Sequence, residues 1–473
     1  MIPMPLAEVA AVVGGRLVGA DPGVRVTGPV EFDSRAVGAG GLFVAFAGAN
    51  ADGHDFAPAA LAGGAVAVLG TRELPEVPMV LVADPLAAMG RLARAVVDRL
   101  PELTIVGLTG SSGKTTTKDL VAQLLTRLGP TVAPAGSFNN ELGHPHTVLR
   151  AGRDTRFLVL ELGARGLGHI SYLCDIAPPR VGVVLNVGVA HLGEFGSVDA
   201  IARAKQELVE ALPAGGEAGP AGGVAVLNAD DERVRAMARA TPARVVLFGE
   251  AAQATVRAED VALDERGRAS YTLVTPLAKA AVRLGVSGAH QVGNTLAAAA
   301  VALEAGLPVD VLAEALGDLR VISSRRMDVF DRPDGVTVID DSYNANPASV
   351  AAALRALSAI GRGRRTVAVL GYLAELGEYE RSGHEEVGRL AAQLGIDRLV
   401  VVGEPAAPIH HGAAAVATWG GESVLVSDQR SAMAVLRDEL RPGDVVLVKG
   451  SRYRTWDVAD FLRADFLRAE VDG

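Results

Sequence analysis

The stretch Thr104–Lys118 reads Thr-Ile-Val-Gly-Leu-Thr-Gly-Ser-Ser-Gly-Lys-Thr-Thr-Thr-Lys, and it limits the fold more than any other part of the chain. The apolar run Thr104–Leu108 predicts a buried strand, Gly110–Gly113 a loop without bulky side chains, and the residues from Thr115 a helix. A strand that feeds a helix in this way demands an α/β layer built on a parallel sheet. Backbone N–H groups of Gly110, Ser111, Ser112 and Gly113 converge where phosphate oxygens bind, and the helix N-terminus adds partial positive charge. Lys114 reaches the terminal phosphates of ATP, Thr115 offers its hydroxyl to Mg²⁺, and Thr116 completes the nucleotide-binding set. The longer phosphate-loop pattern needs glycine at 108, where Leu108 stands; Gly110 and Gly113 give the shorter spacing Gly-x-x-Gly-Lys-Thr.

The same alternation extends along the chain. Before the loop, short β-like runs at Arg16–Val18, Leu42–Phe46, Ala65–Leu69 and Met79–Val82 join helix signals at Leu6–Val13 and Phe56–Ala62. Asp84-Pro85 starts a helix over about 85–99, with aspartate as cap and proline in the first turn. After the loop come Phe157–Glu161, Val181–Val187, Val224–Asn228 and Val245–Phe248, a helix at Val198–Ala211, and shorter, antiparallel-looking strands over 256–285. An Ala-rich helix follows at His290–Ala305. A further α/β set has strands at Val336–Asp340, Thr366–Leu370, Arg398–Val402 and Val445–Lys449. The expected fold class is therefore α/β in three domains: a small N-terminal domain over 1–83, a central parallel-sheet ATP-binding domain over 84–320, and a Rossmann-like C-terminal domain over 321–473. Ala214–Gly223 reads as a loop.

Composition narrows the function classes. The net charge of −10 argues against nucleic acid or a membrane surface as partner. Cys174 is the single cysteine, so neither an internal disulfide nor a thiolate metal cluster is available. The N-terminus carries no secretory pattern, and no run of roughly 18 apolar residues predicts a membrane span. A cytoplasmic monomer is the expectation.

Several ordered strings resemble the Mur ligases, which build the peptide stem of bacterial peptidoglycan. They are Asp33-Ser34-Arg35, Gly41–Gly48, Asp52–Phe56, the phosphate loop, Phe138–Gly143, Val189–Gly193, Ala204–Glu207, His290–Asn294, Arg325–Met327 and Asp341–Pro347. The resemblance covers essentially the whole chain. The Phe138–Gly143 and Asp341–Pro347 strings favour the branch that adds D-alanyl-D-alanine to UDP-N-acetylmuramoyl-tripeptide. The family likeness implies an N-terminal domain that takes the UDP end of that substrate near Ser34 and Arg35. It implies substrate contacts at Asn139 and Asn140, with Asn140 also catalytic.

Two Mg²⁺ sites follow from the same resemblance: Thr115 and Glu161 for the first, His191 and Lys205 for the second. Lys205 is carbamylated in the family, which turns a cation into an oxygen ligand and requires a neutral amine first. Asn294 lies near the adenine, Arg326 reaches the γ-phosphate, and Asp341 and Asn344 contact ribose and base. Lys449 and Ser451 belong to the domain that receives the amine. Lys114, Lys205, His191, Asn140 and Arg326 form the implied catalytic set.

Four places depart from the family pattern. Gly41 stands before Leu42-Phe43 where aspartate is usual. Arg325 replaces a glycine, so either arginine could act. Tyr372 stands where aspartate is usual, and Tyr453–Trp456 follow Lys449–Arg452 in place of the common continuation. The amine acceptor therefore stays open: a related ligase joining a different amine is the alternative. The UDP-type first domain argues against a folylpolyglutamate synthase. The missing Asp-Asn-Pro-Arg motif argues against the diaminopimelate-adding enzyme. The retained Lys114, Glu161, His191 and Lys205 argue against an inactive nucleotide-binding partner.

Overall fold

A computed structural model describes residues 1–48, 51–215 and 222–471, with side chains described to residue 464. Of the loop expected at 214–223, residues 216–221 lie outside the described residues.

Three large sheets carry the chain, beside a two-stranded antiparallel pair of Met4–Pro5 and Arg25–Val26. The first has the strand order Arg16–Val18, Met79–Leu81, Ala65–Gly70, Gly41–Val44, Val30–Glu31, with the Arg16–Val18 edge antiparallel and the rest parallel. The second has nine strands. Its parallel centre runs Arg244–Gly249, Val224–Asn228, Val181–Val184, Thr104–Thr109, Phe157–Glu161, Thr131–Val132. Val256–Leu263, Arg268–Val274 and Lys279–Ser287 extend it, with antiparallel pairing among these three, as their turn-rich sequence predicts. The third sheet orders Asp328–Asp331, Thr337–Asp340, Val445–Lys449, Thr366–Leu370, Arg398–Val402, Glu422–Val426, parallel except at its first edge. The two outer strands, Asp328–Asp331 and Glu422–Val426, escape the sequence reading because each carries charge and is only partly buried.

Central strands are apolar except mainly at their ends, because helices cover both faces. Phe157–Glu161, Val181–Val184 and Val445–Lys449 are buried at every residue. Helix Pro85–Val97 forms where expected: the Asp84 carboxylate accepts from the N–H groups of Leu86 and Ala87 at 2.8 and 3.1 Å, and Pro85 occupies the first turn. Its buried Met89, Leu92 and Val96 join the first unit's Leu6, Val9 and Leu42 to Leu158 and Leu160 of the second sheet in one core. Each such side chain contributes about 1.5–3 kcal/mol through burial. No described helix is long and apolar enough to cross a membrane.

The third unit joins the second through the phosphate-loop helix Lys114–Thr126. Gln123 on that helix donates to Arg320 O at 3.0 Å and accepts from Arg320 N at 3.1 Å, and Asp119 accepts from Ser323 N. The connecting segment 320–325 is thus tied to the element that would sense nucleotide.

Candidate active site

The phosphate loop leaves strand Thr104–Thr109 at the carboxyl edge of the parallel sheet and enters helix Lys114–Thr126. Gly113 makes the turn with φ +80°, a left-handed conformation suited to glycine, and no side chain caps the helix. The first N–H groups of the helix therefore face outward without intrahelical acceptors. Asn186, just past strand Val181–Val184, accepts from the N–H groups of Ser111 and Ser112 at 3.0 and 2.9 Å and donates to Ser112 O at 3.1 Å. It shapes the loop from the next strand. Sequence reasoning missed it, although its place at a strand's carboxyl end is the signal that marks such sites.

A cavity of about 180 Å³ opens over this loop. Ser112, Gly113, Thr115, Thr116 and Asn294 line it from the second unit, and Arg326, Asp341 and Lys449 from the third. The Asn294 amide donates to Gln291 Oε1 at 2.9 Å, which aims its own Oδ1 at Gly113. Arg326 donates to the Thr115 hydroxyl at 3.2 Å and stacks 4.1 Å over the Tyr343 ring. Arg325 instead binds both oxygens of Asp460 at 2.9 and 2.8 Å and lies over Trp456. Geometry thus puts Arg326, and not Arg325, beside the phosphate loop. Lys449 Nζ is buried 2.5 Å from Asp341 Oδ2 and also donates to Asn344 O. Lys449 therefore faces the nucleotide cavity. Burial lowers its pKa, and Asp341 opposes that.

A second, smaller cavity of about 110 Å³ lies beyond Lys114, lined by Asn139, Asn140, Glu141, Arg165, His169 and His191 among others. Lys114 Nζ donates to Gly110 O at 2.7 Å. Burial lowers its pKa, and the Glu161 carboxylate works against that shift. Glu161 ends strand Phe157–Glu161 and is 1% exposed. Asn139 donates to its Oε1 at 2.7 Å, while its Oε2 is buried with no partner. A buried anionic oxygen without a donor is costly, and a hard cation resolves it. The observation fits a Mg²⁺ ion held here.

Lys205 stands on helix Val198–Glu210, which Ser197 caps by accepting from Ala200 N. The lysine is buried, and among the described residues no carboxylate pairs with it. Burial first, and then the like charge of Lys114, push its pKa well below the usual value. A neutral amine is the form that takes up CO₂.

Other expected residues stay outside both cavities. Arg35 is exposed and pairs with Asp33 through two bonds at 2.9 and 2.7 Å, beside Ser34. Asn344 turns its carboxamide oxygen to Ala345 N. Ser451 braces the 371–376 loop: its hydroxyl accepts from Ala374 N and donates to Tyr372 O. Tyr372 packs edge-on to Tyr453 at 5.7 Å and donates to Glu380.

Three family models match in sequence order: "Mur ligase family, catalytic domain" at 27–96, "Mur ligase middle domain" at 108–302, and "Mur ligase, glutamate ligase domain" at 325–452. The chain belongs to the Mur ligase family. It is 50% identical to the UDP-N-acetylmuramoyl-tripeptide--D-alanyl-D-alanine ligase of Mycobacterium tuberculosis, over 98% of each chain. The enzyme of the same name from Escherichia coli is 34% identical over 96% of each. Among solved structures, MurF from Acinetobacter baumannii superposes with a TM-score of 0.86 at 31% identity, covering 98% of this chain and 99% of that one. MurF ligase from Thermotoga maritima in complex with ADP gives 0.79 at 30% identity, covering 94% and 99%. This Mur ligase thus has a three-unit α/β fold and an ATP-type site between its second and third units.

Proposed function

We propose that this Mur ligase joins D-alanyl-D-alanine to UDP-N-acetylmuramoyl-tripeptide at the expense of ATP, as a cytoplasmic monomer acting in peptidoglycan precursor synthesis. The observation that carries the reading is the pair of cavities flanking residues 112–116: one faces Asn294, Arg326 and Asp341, the other Asn139, Asn140 and His191. Nucleotide and acyl substrate would meet across the phosphate loop.

A carboxylate resists attack by an amine because it is anionic and would have to expel oxide. The tripeptide carboxylate therefore attacks the γ-phosphorus of ATP: a carboxylate O–P bond forms, the bond to the β-bridging oxygen breaks, and ADP leaves. The dipeptide amine then adds to the acyl carbon, the C–N bond forms, phosphate departs, and the amine gives up a proton. Lys114 and Arg326 bring positive charge to the transferring group from opposite units. Asn139 holds Glu161, and Asn140 caps the turn at Gly143 with its carboxamide while lining the acyl-side cavity. Thr115 and Glu161 would hold one Mg²⁺, and His191 and carbamylated Lys205 a second. The ions supply charge that screens the phosphoryl oxygens.

A phosphate-release assay tests this. Release should require both UDP-N-acetylmuramoyl-tripeptide and D-alanyl-D-alanine, with single amino acids giving background. Release that is equal with a different amine would move the acceptor assignment, and none with any acceptor would remove the ligase reading.

A further inference from the structure

His191 does not face the small cavity alone. Its Nδ1 lies 2.5 Å from Oε2 of Glu375, a residue of the third unit, and 3.7 Å from Glu194 Oε2 on its own short helix. We propose that Glu375 is a positioning residue for His191, so that the metal-side imidazole is correctly set only when the third unit is closed on the second. The proposal rests on the ligase reading above.

The two segments are fitted together at the backbone. Gly193 N donates to Glu375 O at 3.2 Å. A Cβ on Gly193 would meet Gly377 N at 2.7 Å, and one on Gly377 would meet Gly193 Cα at 2.6 Å, so neither place has room for a side chain. His191 and Glu375 both hold left-handed backbones, at φ 62° and 67°, a strain that persists only where surroundings impose it. Arg452 takes the other carboxylate oxygen, Oε1, at 2.9 Å. That grip leaves Oε2 facing the imidazole.

An imidazole that serves a metal through one nitrogen commonly hands its other N–H to a carboxylate, which fixes tautomer and ring orientation. A proton on Nδ1, facing Glu375, would leave the Nε2 lone pair for a ligand's role. The contact lacks the alignment of a full hydrogen bond. Poorly aligned contacts of this kind come into line when substrate closes a site. Glu375 thus makes the arrangement of the second unit conditional on the third.

The experiment compares Glu375→Ala, Glu375→Gln and Glu375→Asp in the full chain. The readouts are kcat, KM for ATP, Mn²⁺ bound per chain by electron paramagnetic resonance, and the ¹⁵N ring shifts of His191. Glu375→Ala should lower kcat and Mn²⁺ affinity by about tenfold or more, with KM for ATP within about twofold, and should abolish the Nδ1–H tautomer. Glu375→Gln, whose carbonyl still accepts from Nδ1–H, should keep the tautomer and fall between. Glu375→Asp should recover part of the loss. Wild-type-like kcat and Mn²⁺ binding in Glu375→Ala would overturn the proposal. So would equal losses in all three variants that follow thermal stability while the ring signals stay unchanged. Mn²⁺ and ring readouts need no turnover, so a failure of the ligase reading would appear as inactive wild-type enzyme with both intact.

Discussion

Asn139 and Glu161 form a half-finished pair: the amide donates to one carboxylate oxygen at 2.7 Å and the other oxygen is buried without a partner. A cation that completes this carboxylate also stabilises the fold by mass action. At a hundredfold excess over its dissociation constant the gain is about 2.7 kcal/mol. Mg²⁺ with ADP should therefore raise the Tm of the wild-type chain, and chelation should reverse it. In Glu161→Gln, where the charge is gone and the shape kept, the Mg²⁺-dependent part of that rise should disappear and turnover should fall at least a hundredfold. Calorimetry with and without chelator checks this; an unchanged Mg²⁺ response in Glu161→Gln would remove the metal role.

Lys205 offers a chemical test of its own. Its burial favours the neutral amine, which CO₂ converts to a carbamate anion. Lys205→Ala should abolish turnover, and short carboxylates such as acetate or formate should restore part of it by filling the vacated oxygen position. ¹³CO₂ should give a carbamate carbon signal in wild type that the variant lacks. Full activity of Lys205→Ala without additive would end the carbamate reading.

The reach of the sequence follows the physics of each feature. The phosphate loop, Asp84-Pro85 and the buried strands are local: glycine spacing, a capping carboxylate and an unbroken apolar run each specify their own geometry. Edge strands such as Glu422–Val426 are half-solvated and lose that signature. Asn186 and Glu375 act on residues 74 and more positions away, so nothing in their neighbours announces them. Arg325 and Arg326 illustrate the same limit. Adjacent and chemically alike, they are separated by backbone direction, one to Asp460 and one to Thr115. At Lys205, periodicity gives a helix, but only packing makes the lysine buried.

Gly113 gives a steric prediction. At φ +80° any side chain is strained, and a Cβ would stand 2.7 Å from Asn294 Oδ1. Gly113→Ala must either shift the loop or push Asn294 from Gln291. ATP affinity should fall at least tenfold, while the strand and helix on either side keep the fold intact. Isothermal titration with ADP measures this, and an affinity within twofold of wild type would show that the loop relaxes freely.

His144 sets an acid limit on stability. It is 0% exposed, with neither ring nitrogen in an aligned hydrogen bond, and burial lowers its pKa to about 4, the Leu173 backbone opposing. In the unfolded chain the ring titrates at about 6.5. Above that value both states hold a neutral ring and pH has no effect through it. As pH falls below 6.5 the unfolded chain takes up a proton that the folded one refuses until about pH 4, so stability is lost across that window. The loss at pH 4.5 relative to pH 7.5 is on the order of 2–3 kcal/mol. His144→Phe, which keeps an aromatic ring without a titrating nitrogen, should lose less stability over the same interval by about that amount. Urea unfolding at the two pH values checks it, and parallel losses in both proteins would show that His144 is protonated at no cost.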